Sequence, residues 1–182
     1  MARTVDDRCL ICGRLVLRHE GVAFRAGRVT DLQCFLDGPQ QQSPRVTAVP
    51  ANQRLLGVHV LIVDDNSSTV EILRAALEYS GGFVTTAPGA NEGKATLREV
   101  RPHVLVSDLA MPHDGLEMVR EVIVFAAETG LVIPAIAVSA GTHGRGRDHL
   151  RESGFAVFIP KPLDPFVLAN VVAKLAEGRG QT

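Results

Sequence analysis

The chain has 182 residues, of which 46% are hydrophobic and 21% charged, and its formal net charge is −1. This composition is typical of an ordinary globular protein and excludes a disordered or fibrous chain. It provides no bulk positive charge for attracting nucleic acid or an anionic membrane surface. No apolar stretch is long enough to span a bilayer, so we expect a cytoplasmic protein whose cysteines stay reduced.

The three cysteines near the N-terminus are spaced like ligands of a zinc site. Cys9 and Cys12 form a Cys-x-x-Cys pair, and Cys34 lies 22 positions further along the chain. Asp31 precedes Cys34 in an Asp-x-x-Cys pattern and is the favoured fourth ligand, with His19 as the alternative. Structural zinc is bound mostly by cysteine and histidine, and aspartate can also bind it. The segment resembles small zinc-ribbon modules and is predicted to bind Zn²⁺; a metal-free β-hairpin with free thiols is the alternative.

From Val58 onwards, short apolar runs alternate with amphipathic stretches. Strands are predicted at residues 58–63, 83–87, 103–107, 132–138 and 156–159. A helix with Val70, Leu73 and Leu77 on one face follows the first strand, and further helices are predicted near 90–100, 115–128, 145–153 and 164–176. Repeated strand–helix units build a parallel sheet that is covered on both faces. The sequence therefore predicts an α/β fold in which a five-stranded parallel sheet forms a three-layer sandwich.

Sequence signals at two helix starts support these boundaries. Ser68 and Glu71 have the Ser-x-x-Glu spacing of a capping box at or near the start of the first helix. Asp164 is predicted to cap the last helix, because Pro165 follows it at a position where a missing N–H costs nothing.

Polar side chains follow four of the five predicted strands. Asp64 and Asp65 end the first strand, Asp108 the third, Ser139 the fourth, and Lys161 follows the fifth. The carboxyl ends of parallel strands meet at one edge of the sheet, where open α/β sheets bind ligands. Three carboxylates there would repel one another by roughly 4 kcal/mol per pair at about 4 Å and an effective dielectric near 20. The sequence therefore predicts a Mg²⁺ ion at this edge, with Lys161 as a second cation.

The residues at these strand ends resemble the four signatures of bacterial response-regulator receiver domains. The matching motifs are Leu-Ile-Val-Asp64-Asp65, Val-Ser107-Asp108-Leu-Ala-Met111-Pro112, Ala-Val-Ser139-Ala140 and Phe158-Ile-Pro-Lys161-Pro162. They occur in the family's order, and the resemblance covers about 120 residues. It is similar to the receivers attached to hybrid histidine kinases. The resemblance implies the flavodoxin-like (βα)5 fold.

The resemblance also implies a role for each matching residue. Asp108 would be the phosphoacceptor, and Asp64, Asp65 and Asp108 would bind Mg²⁺ together with the backbone carbonyl of Ala110. The hydroxyl of Ser139 would contact the phosphoryl oxygens.

By the same resemblance, Lys161 would pair with another phosphoryl oxygen, and the bond between Lys161 and Pro162 would be a cis peptide. Phe158 would be the family's aromatic switch, although an aromatic residue on a strand is most often part of the core.

Two loops near these motifs depart from a simple match. Only His113 and Asp114 separate Met111-Pro112 from Gly115, which is one residue fewer than the usual family pattern. This shorter loop predicts an altered geometry beside the phosphoacceptor. The glycine-rich residues 141–146 lack the ending of a phosphate-binding loop and are predicted to be a mobile loop.

These patterns predict four parts of the chain: a cysteine-containing segment at 1–36, a linker at 37–56, a receiver domain at 57–176 and a tail at 177–182. The predicted function is that of a signalling receiver, not an enzyme with turnover, phosphorylated by a histidine kinase or phosphotransfer protein. It would act through a downstream protein or a homodimer, with no membrane or nucleic-acid partner. The alternatives are a phosphorylation-independent adaptor, a zinc-dependent nucleic-acid module and a phosphatase with Asp108 as nucleophile.

Overall fold

The structure is a computed structural model that describes residues 8–17, 20–25, 28–38, 50–111, 115–140 and 147–178. The strands are β1 (Val22–Arg25), β2 (Arg28–Asp31), β3 (His59–Val63), β4 (Phe83–Ala87), β5 (Val104–Asp108), β6 (Ala135–Ser139) and β7 (Val157–Pro160). The α-helices are α1 (Leu32–Asp37), α2 (Ser67–Tyr79), α3 (Ala90–Val100), α4 (Gly115–Thr129), α5 (Arg147–Glu152) and α6 (Pro165–Glu177). Within these residues, no helix has the length and apolar character needed to span a bilayer.

All the described strands belong to one mixed sheet with the order β2-β1-β7-β6-β5-β3-β4. The five strands from β3 to β7 pair in parallel, in the strand order of a flavodoxin-like sheet. The predicted α/β class and the five parallel strands are therefore confirmed. The prediction of a sheet with only five strands was wrong, because β1 and β2 extend it by antiparallel pairing.

The additional strands cover the edge of β7. Val22 lies opposite Phe158, and the backbone N–H of Phe24 donates to the carbonyl of Ala156 at 2.8 Å. Both Val22 and Phe158 are fully buried. An uncovered edge strand exposes unpaired backbone groups to other chains, and here β1 covers the edge of β7 at Val157 and Phe158. The strands β1 and β2 have four residues each and were not predicted from the sequence.

Two buried layers flank the sheet, as the alternation of side chains along each strand requires. One layer packs Leu61, Leu105 and Phe158 against the apolar faces of α3, α4 and α5. The other packs the alternate strand residues, such as Ile62 and Val106, against α1, α2 and α6. The three-layer sandwich predicted from the sequence is thus present. The antiparallel pair of β1 and β2, called the hairpin below, contributes residues to both layers.

The segment before β3 belongs to the folded unit. A short 3-10 turn covers Ala51–Gln53, and Leu55 is fully buried, with its N–H donating to the carbonyl of Ser80 at 2.9 Å. Within the predicted linker at 37–56, Asp37 thus belongs to α1 and Leu55 packs into the core, and residues 39–49 lie outside the described part of the chain. The proline and glutamine residues of this stretch predicted a linker, and they gave no indication that Leu55 packs into the core.

The two helix starts predicted from the sequence have different outcomes. Helix α2 is capped by Asn66, whose side chain accepts from the N–H of Thr69 at 3.0 Å, so the capping box centred on Ser68 was misplaced by two residues. Asp164 caps α6 as predicted, accepting from the N–H of Phe166 at 2.8 Å. Asparagine and serine are about equally good caps, so the residue type alone does not decide between Asn66 and Ser68. The helix begins soon after β3 ends at Val63, which makes Asn66 the cap.

We expect the hairpin to unfold together with the rest of the sheet. Val22→Ala should lower the free energy of unfolding by about 1.5–3 kcal/mol, because it removes buried methyl groups beside Phe158. Chemical denaturation followed by circular dichroism measures this change. The matched control is Val124→Ala on the exposed side of α4, which should change the free energy by less than about 0.5 kcal/mol. Equal stability of Val22→Ala and the wild type would contradict the cooperative packing of β1.

Candidate functional site

Two buried carboxylates meet at the carboxyl edge of the sheet. Asp108 is the last residue of β5, and Asp64 directly follows β3, which is the neighbouring strand. Asp64 is 3% exposed and Asp108 5% exposed. The buried apolar run Val60–Val63 leads directly to Asp64, and Val104–Val106 followed by the buried Ser107 leads to Asp108, so both carboxylates are placed at the strand ends. Buried carboxylates require compensating partners, because desolvation of a lone charge is costly.

Lys161 provides that partner for both carboxylates. Its ammonium donates to Asp64 Oδ2 at 2.9 Å and to Asp108 Oδ2 at 2.7 Å. Burial alone lowers the pKa of Lys161, but the hydrogen bonds and charges of Asp108 and Asp64 outweigh it and raise the pKa above its ordinary value. The peptide bond between Lys161 and Pro162 is cis, as the resemblance implied. The lysine therefore remains a cation between the two strand ends.

The second oxygen of each carboxylate is held by the backbone. Asp64 Oδ1 accepts from the N–H of Asn66, and Asp108 Oδ1 accepts from the N–H of Ala110, both at 2.8 Å. These bonds fix the orientation of the two carboxylates and place Ala110 directly beside Asp108. Ala110 itself is exposed at the rim of the site.

The three acidic residues predicted to bind metal form one cluster. Asp64, Asp65 and Asp108 each offer a carboxylate oxygen within 4.8 Å of the others, and Asp65 is exposed where the other two are buried. The three carboxylates and the ammonium of Lys161 together have a formal charge of about −2. The charge and the oxygen ligands fit a hard divalent cation such as Mg²⁺.

Ser139 and Phe158 lie on the neighbouring strands β6 and β7. Ser139 ends β6 and is fully buried, and its carbonyl accepts from the N–H of Lys161 at 2.7 Å. Phe158 is 1% exposed and lies on β7, two residues before the strand ends. The strands that carry these residues are adjacent, and Ser139 lies opposite Pro160. The predicted site residues are thus on the strands and loops where the sequence placed them. The loop 112–114 and the glycine-rich residues 141–146 lie outside the described residues.

A second group of candidate ligands lies in the N-terminal segment. The sulfur atoms of Cys9, Cys12 and Cys34 are within 4.8 Å of one another, and none of them forms a disulfide. Burial alone raises the pKa of Cys9, but backbone N–H groups, including those of Cys12 and Asp31, outweigh it and lower the pKa to about 7. A hydrogen bond with Cys12 and burial raise the pKa of Cys34 to about 12. The predicted cysteine ligands are therefore assembled.

The structure gives Asp31 a different set of partners from the one that the sequence predicted. Its Oδ1 caps α1 by accepting from the N–H groups of Gln33 at 3.0 Å and Cys34 at 3.2 Å. Its Oδ2 is paired with the guanidinium of Arg14. The sequence contains no local signal for Arg14, which is 17 positions away from Asp31. His19, the alternative ligand, lies outside the described residues.

The comparison with protein families is decisive for the central part of the chain. The sequence model of one protein family, the response regulator receiver domain, matches residues 60–173. The chain belongs to the response regulator receiver family. The matched range contains both buried carboxylates and Lys161, and it excludes the cysteine-containing segment.

Individual proteins and structures resemble this receiver to different extents. The uncharacterized 14.6 kDa protein in the sodA1 3′ region of Leptolyngbya boryana is 39% identical over 121 residues, covering 66% of this chain and 91% of that protein. The response regulator MprA of Mycobacterium ulcerans is 31% identical over 121 residues, covering 66% of this chain and 49% of MprA. This chain therefore spans about half the length of MprA.

A solved structure shares the fold at lower identity. It is the co-crystal structure of the Saccharomyces cerevisiae histidine phosphotransfer signaling protein Ypd1 and the receiver domain of its downstream response regulator Ssk1. The matching chain has 22% identity and a TM-score of 0.58, and the match covers 63% of the present 182-residue chain and 86% of that chain.

We expect Mg²⁺ to stabilise this receiver through its acidic cluster. At a Mg²⁺ concentration about 100 times the dissociation constant, the wild type should gain about 2.7 kcal/mol in free energy of unfolding. Asp65→Asn should weaken Mg²⁺ binding about tenfold or more, because it removes an exposed carboxylate without opening the core. Isothermal titration calorimetry measures the affinity, and Glu99→Gln on the exposed surface of α3 is the matched control.

The substitution Lys161→Met changes the charge of the same cluster in the opposite direction. It removes the cation that competes for Asp64 and Asp108, so the affinity for Mg²⁺ should rise. Equal Mg²⁺ affinities of the wild type, Asp65→Asn and Lys161→Met would contradict the assignment of the cation site.

Proposed function

We propose that this receiver accepts a phosphoryl group on Asp108 and passes the signal on by protein association. The observation that supports this most strongly is the double contact of Lys161 with Asp64 and Asp108. One carboxylate at the end of a strand is common, but a carboxylate oriented by a backbone N–H and paired with an ammonium group is prepared for reaction. The proposed role is acceptance of the group without turnover of a substrate.

In the proposed reaction, a carboxylate oxygen of Asp108 attacks the phosphorus atom of a phosphohistidine on the donor protein. The phosphorus–nitrogen bond of the donor breaks as the phosphorus–oxygen bond of the acyl phosphate forms. Such a transfer requires in-line positioning and stabilisation of charge on the transferred oxygens, and little further covalent chemistry. A Mg²⁺ ion held by Asp64, Asp65, Asp108 and the Ala110 carbonyl would supply electrostatic stabilisation of those oxygens.

The residues of the chain divide the remaining work. The N–H of Ala110 fixes Asp108 Oδ1, so that the other oxygen, now paired with Lys161, is the one oriented into the charged pocket. The ammonium of Lys161 can exchange its hydrogen bond to that oxygen for one to a phosphoryl oxygen, which is a stronger acceptor of a charge-assisted hydrogen bond. Ser139, at the end of the adjacent strand β6, would donate its hydroxyl to another phosphoryl oxygen.

The proposed donor is a histidine kinase or a histidine phosphotransfer protein. The structural resemblance to a co-crystal structure of a phosphotransfer protein with a receiver domain supports this choice of partner. The similarity to MprA, which is named as a response regulator, supports a role in two-component signalling. An adaptor that functions without phosphorylation would not need Lys161 and three carboxylates to converge at one place. We therefore favour a receiver that is phosphorylated over such an adaptor.

For output, we propose the face that is formed by α5, β7 and α6. Phe158 lies within it on β7, and its ring is buried in the same layer as Leu150 of α5. The hairpin is docked at this face by the pairing of β1 with β7, and α1, which follows the hairpin, is docked by Lys174 of α6, which donates to the carbonyl of Leu36 at 3.3 Å. A partner would therefore meet the hairpin together with the helices.

We predict that Asp108 is the site of phosphorylation. Incubation with a small acyl phosphate and Mg²⁺ should add one phosphoryl group to the wild type and none to Asp108→Asn, as measured by intact mass spectrometry. Asp37→Asn, which lies on α1 away from the site, is the control and should be labelled like the wild type. Chelation of Mg²⁺ should abolish labelling. Equal labelling of the wild type and Asp108→Asn would sink the assignment.

We predict that phosphorylation changes association through the face that contains Phe158. Sedimentation of the full chain with and without phosphodonor should differ for the wild type, and Phe158→Leu should reduce that difference. Phe155→Leu is the matched control, because Phe155 is equally buried in the same layer but precedes β7. Unchanged sedimentation together with tight DNA binding at physiological salt would favour the zinc-dependent nucleic-acid module instead.

A further inference from the structure

The three N-terminal thiols form a cluster that the receiver function does not use. Their sulfur atoms lie within 4.8 Å of one another. In a tetrahedral zinc site with bonds of about 2.3 Å, ligand sulfurs are roughly 3.8 Å apart, so a small contraction of this cluster would suffice. All three cysteines are free, and reduced thiols in close contact repel one another once they ionise unless a cation joins them.

The backbone around Cys9 is arranged to support an anionic sulfur. Cys9 Sγ accepts from the N–H of Ile11 at 3.4 Å and from the N–H of Asp31 at 3.3 Å. The turn is closed by the N–H of Gly13, which donates to the Cys9 carbonyl at 2.9 Å, and Gly13 adopts the left-handed φ of +72° that favours glycine. The thiolate is the form that binds metal, and N–H donors stabilise it.

Asp31 is better placed to orient a ligand than to be one. Its carboxylate is occupied by Arg14 and by the N–H of Cys34, so it fixes the start of α1 on which Cys34 lies. A carboxylate that has moved from capping to coordination would leave those N–H groups and the Arg14 guanidinium without their partner. The thiols thus remain as the ligands that the described residues offer to a metal at this position.

The cluster is open on one side. Cys9 is buried, Cys34 is half-buried and Cys12 is exposed. An ion can therefore enter at Cys12, and solvent can take the fourth position there. Soft thiolate ligands in this number select Zn²⁺ over Mg²⁺ and Ca²⁺, which require oxygen ligands.

We propose that Cys9, Cys12 and Cys34 bind one Zn²⁺ through three thiolates, with solvent and not Asp31 as the fourth ligand. The ion joins the Cys-x-x-Cys turn to the start of α1 and so closes the base of the hairpin. Cys9 and Val22 belong to the same buried layer as Phe158 of β7. The metal therefore secures the hairpin against the edge of β7. Zinc binding at this site does not require phosphorylation of Asp108.

The test uses the full chain purified without chelator under reducing conditions. Native mass spectrometry and elemental analysis should find one zinc per chain, and Co²⁺ substituted for it should give a thiolate-to-metal absorption band. Cys12→Ser should lower the zinc affinity by about 100-fold or more, because it removes one of the three thiolate ligands. Cys12 is exposed, so this variant should keep its fold, which circular dichroism verifies.

Two further variants separate the proposed ligand set from its alternatives. Asparagine caps a helix about as well as aspartate, so Asp31→Asn keeps the orientation of Cys34 and should retain one zinc per chain and the same Co²⁺ band. His19→Ala should also retain both. Loss of zinc in either variant, while the chain remains folded, would overturn solvent as the fourth ligand.

Hydrogen exchange tests the structural consequence of the bound ion. Chelation should increase exchange at the backbone amides of 8–38, and added Zn²⁺ should reverse the increase. A wild type that takes up no zinc in excess Zn²⁺ and shows three freely titratable thiols in the folded state would overturn the site itself. Phosphorylation of Asp108 should proceed in the Cys12→Ser variant, so failure of this proposal is distinguishable from failure of the phosphoacceptor assignment.

Discussion

The ion pair of Lys161 with two buried carboxylates is the interaction on which the site depends. Asp64 and Asp108 end adjacent strands, and without a cation they would repel each other by roughly 4 kcal/mol at about 4 Å and an effective dielectric near 20. Removing one partner from such a buried group costs several kcal/mol, since a charge is left without compensation. The same ammonium that lets the strand ends meet is the group that can stabilise an arriving phosphoryl group. Stability and the proposed reactivity are therefore linked through one side chain.

The hairpin changes what the receiver presents to a partner. In a five-stranded sheet of this order β7 would be an edge strand, but here β1 occupies its hydrogen-bonding edge. Phe158, the proposed switch, lies opposite Val22 of that hairpin. Any rearrangement of Phe158 would have to be accommodated by β1, so the two segments are expected to respond together. A ligand or partner shifts such an equilibrium only by its differential affinity for the two packings.

The sequence predicted the part of the molecule in which local signals agree with one another. Strand–helix alternation after Val58 and the polar residues at the strand ends led to the parallel sheet and to the cluster around Asp108. The pairing of β1 with β7 could not be predicted, because it joins segments more than 130 residues apart in the sequence. The same is true of the ion pair between Asp31 and Arg14, which lie 17 positions apart in the sequence.

The central claim, that the pocket around Lys161 prepares one carboxylate for phosphorylation, can be tested by locating the modified residue. Reductive trapping converts an aspartyl phosphate into homoserine, and peptide mass spectrometry identifies its position after exposure of the full chain to phosphodonor and Mg²⁺. Homoserine at position 108 alone is the predicted result. Homoserine at position 64 or 65, or none at all in a folded and Mg²⁺-bound chain, would contradict it.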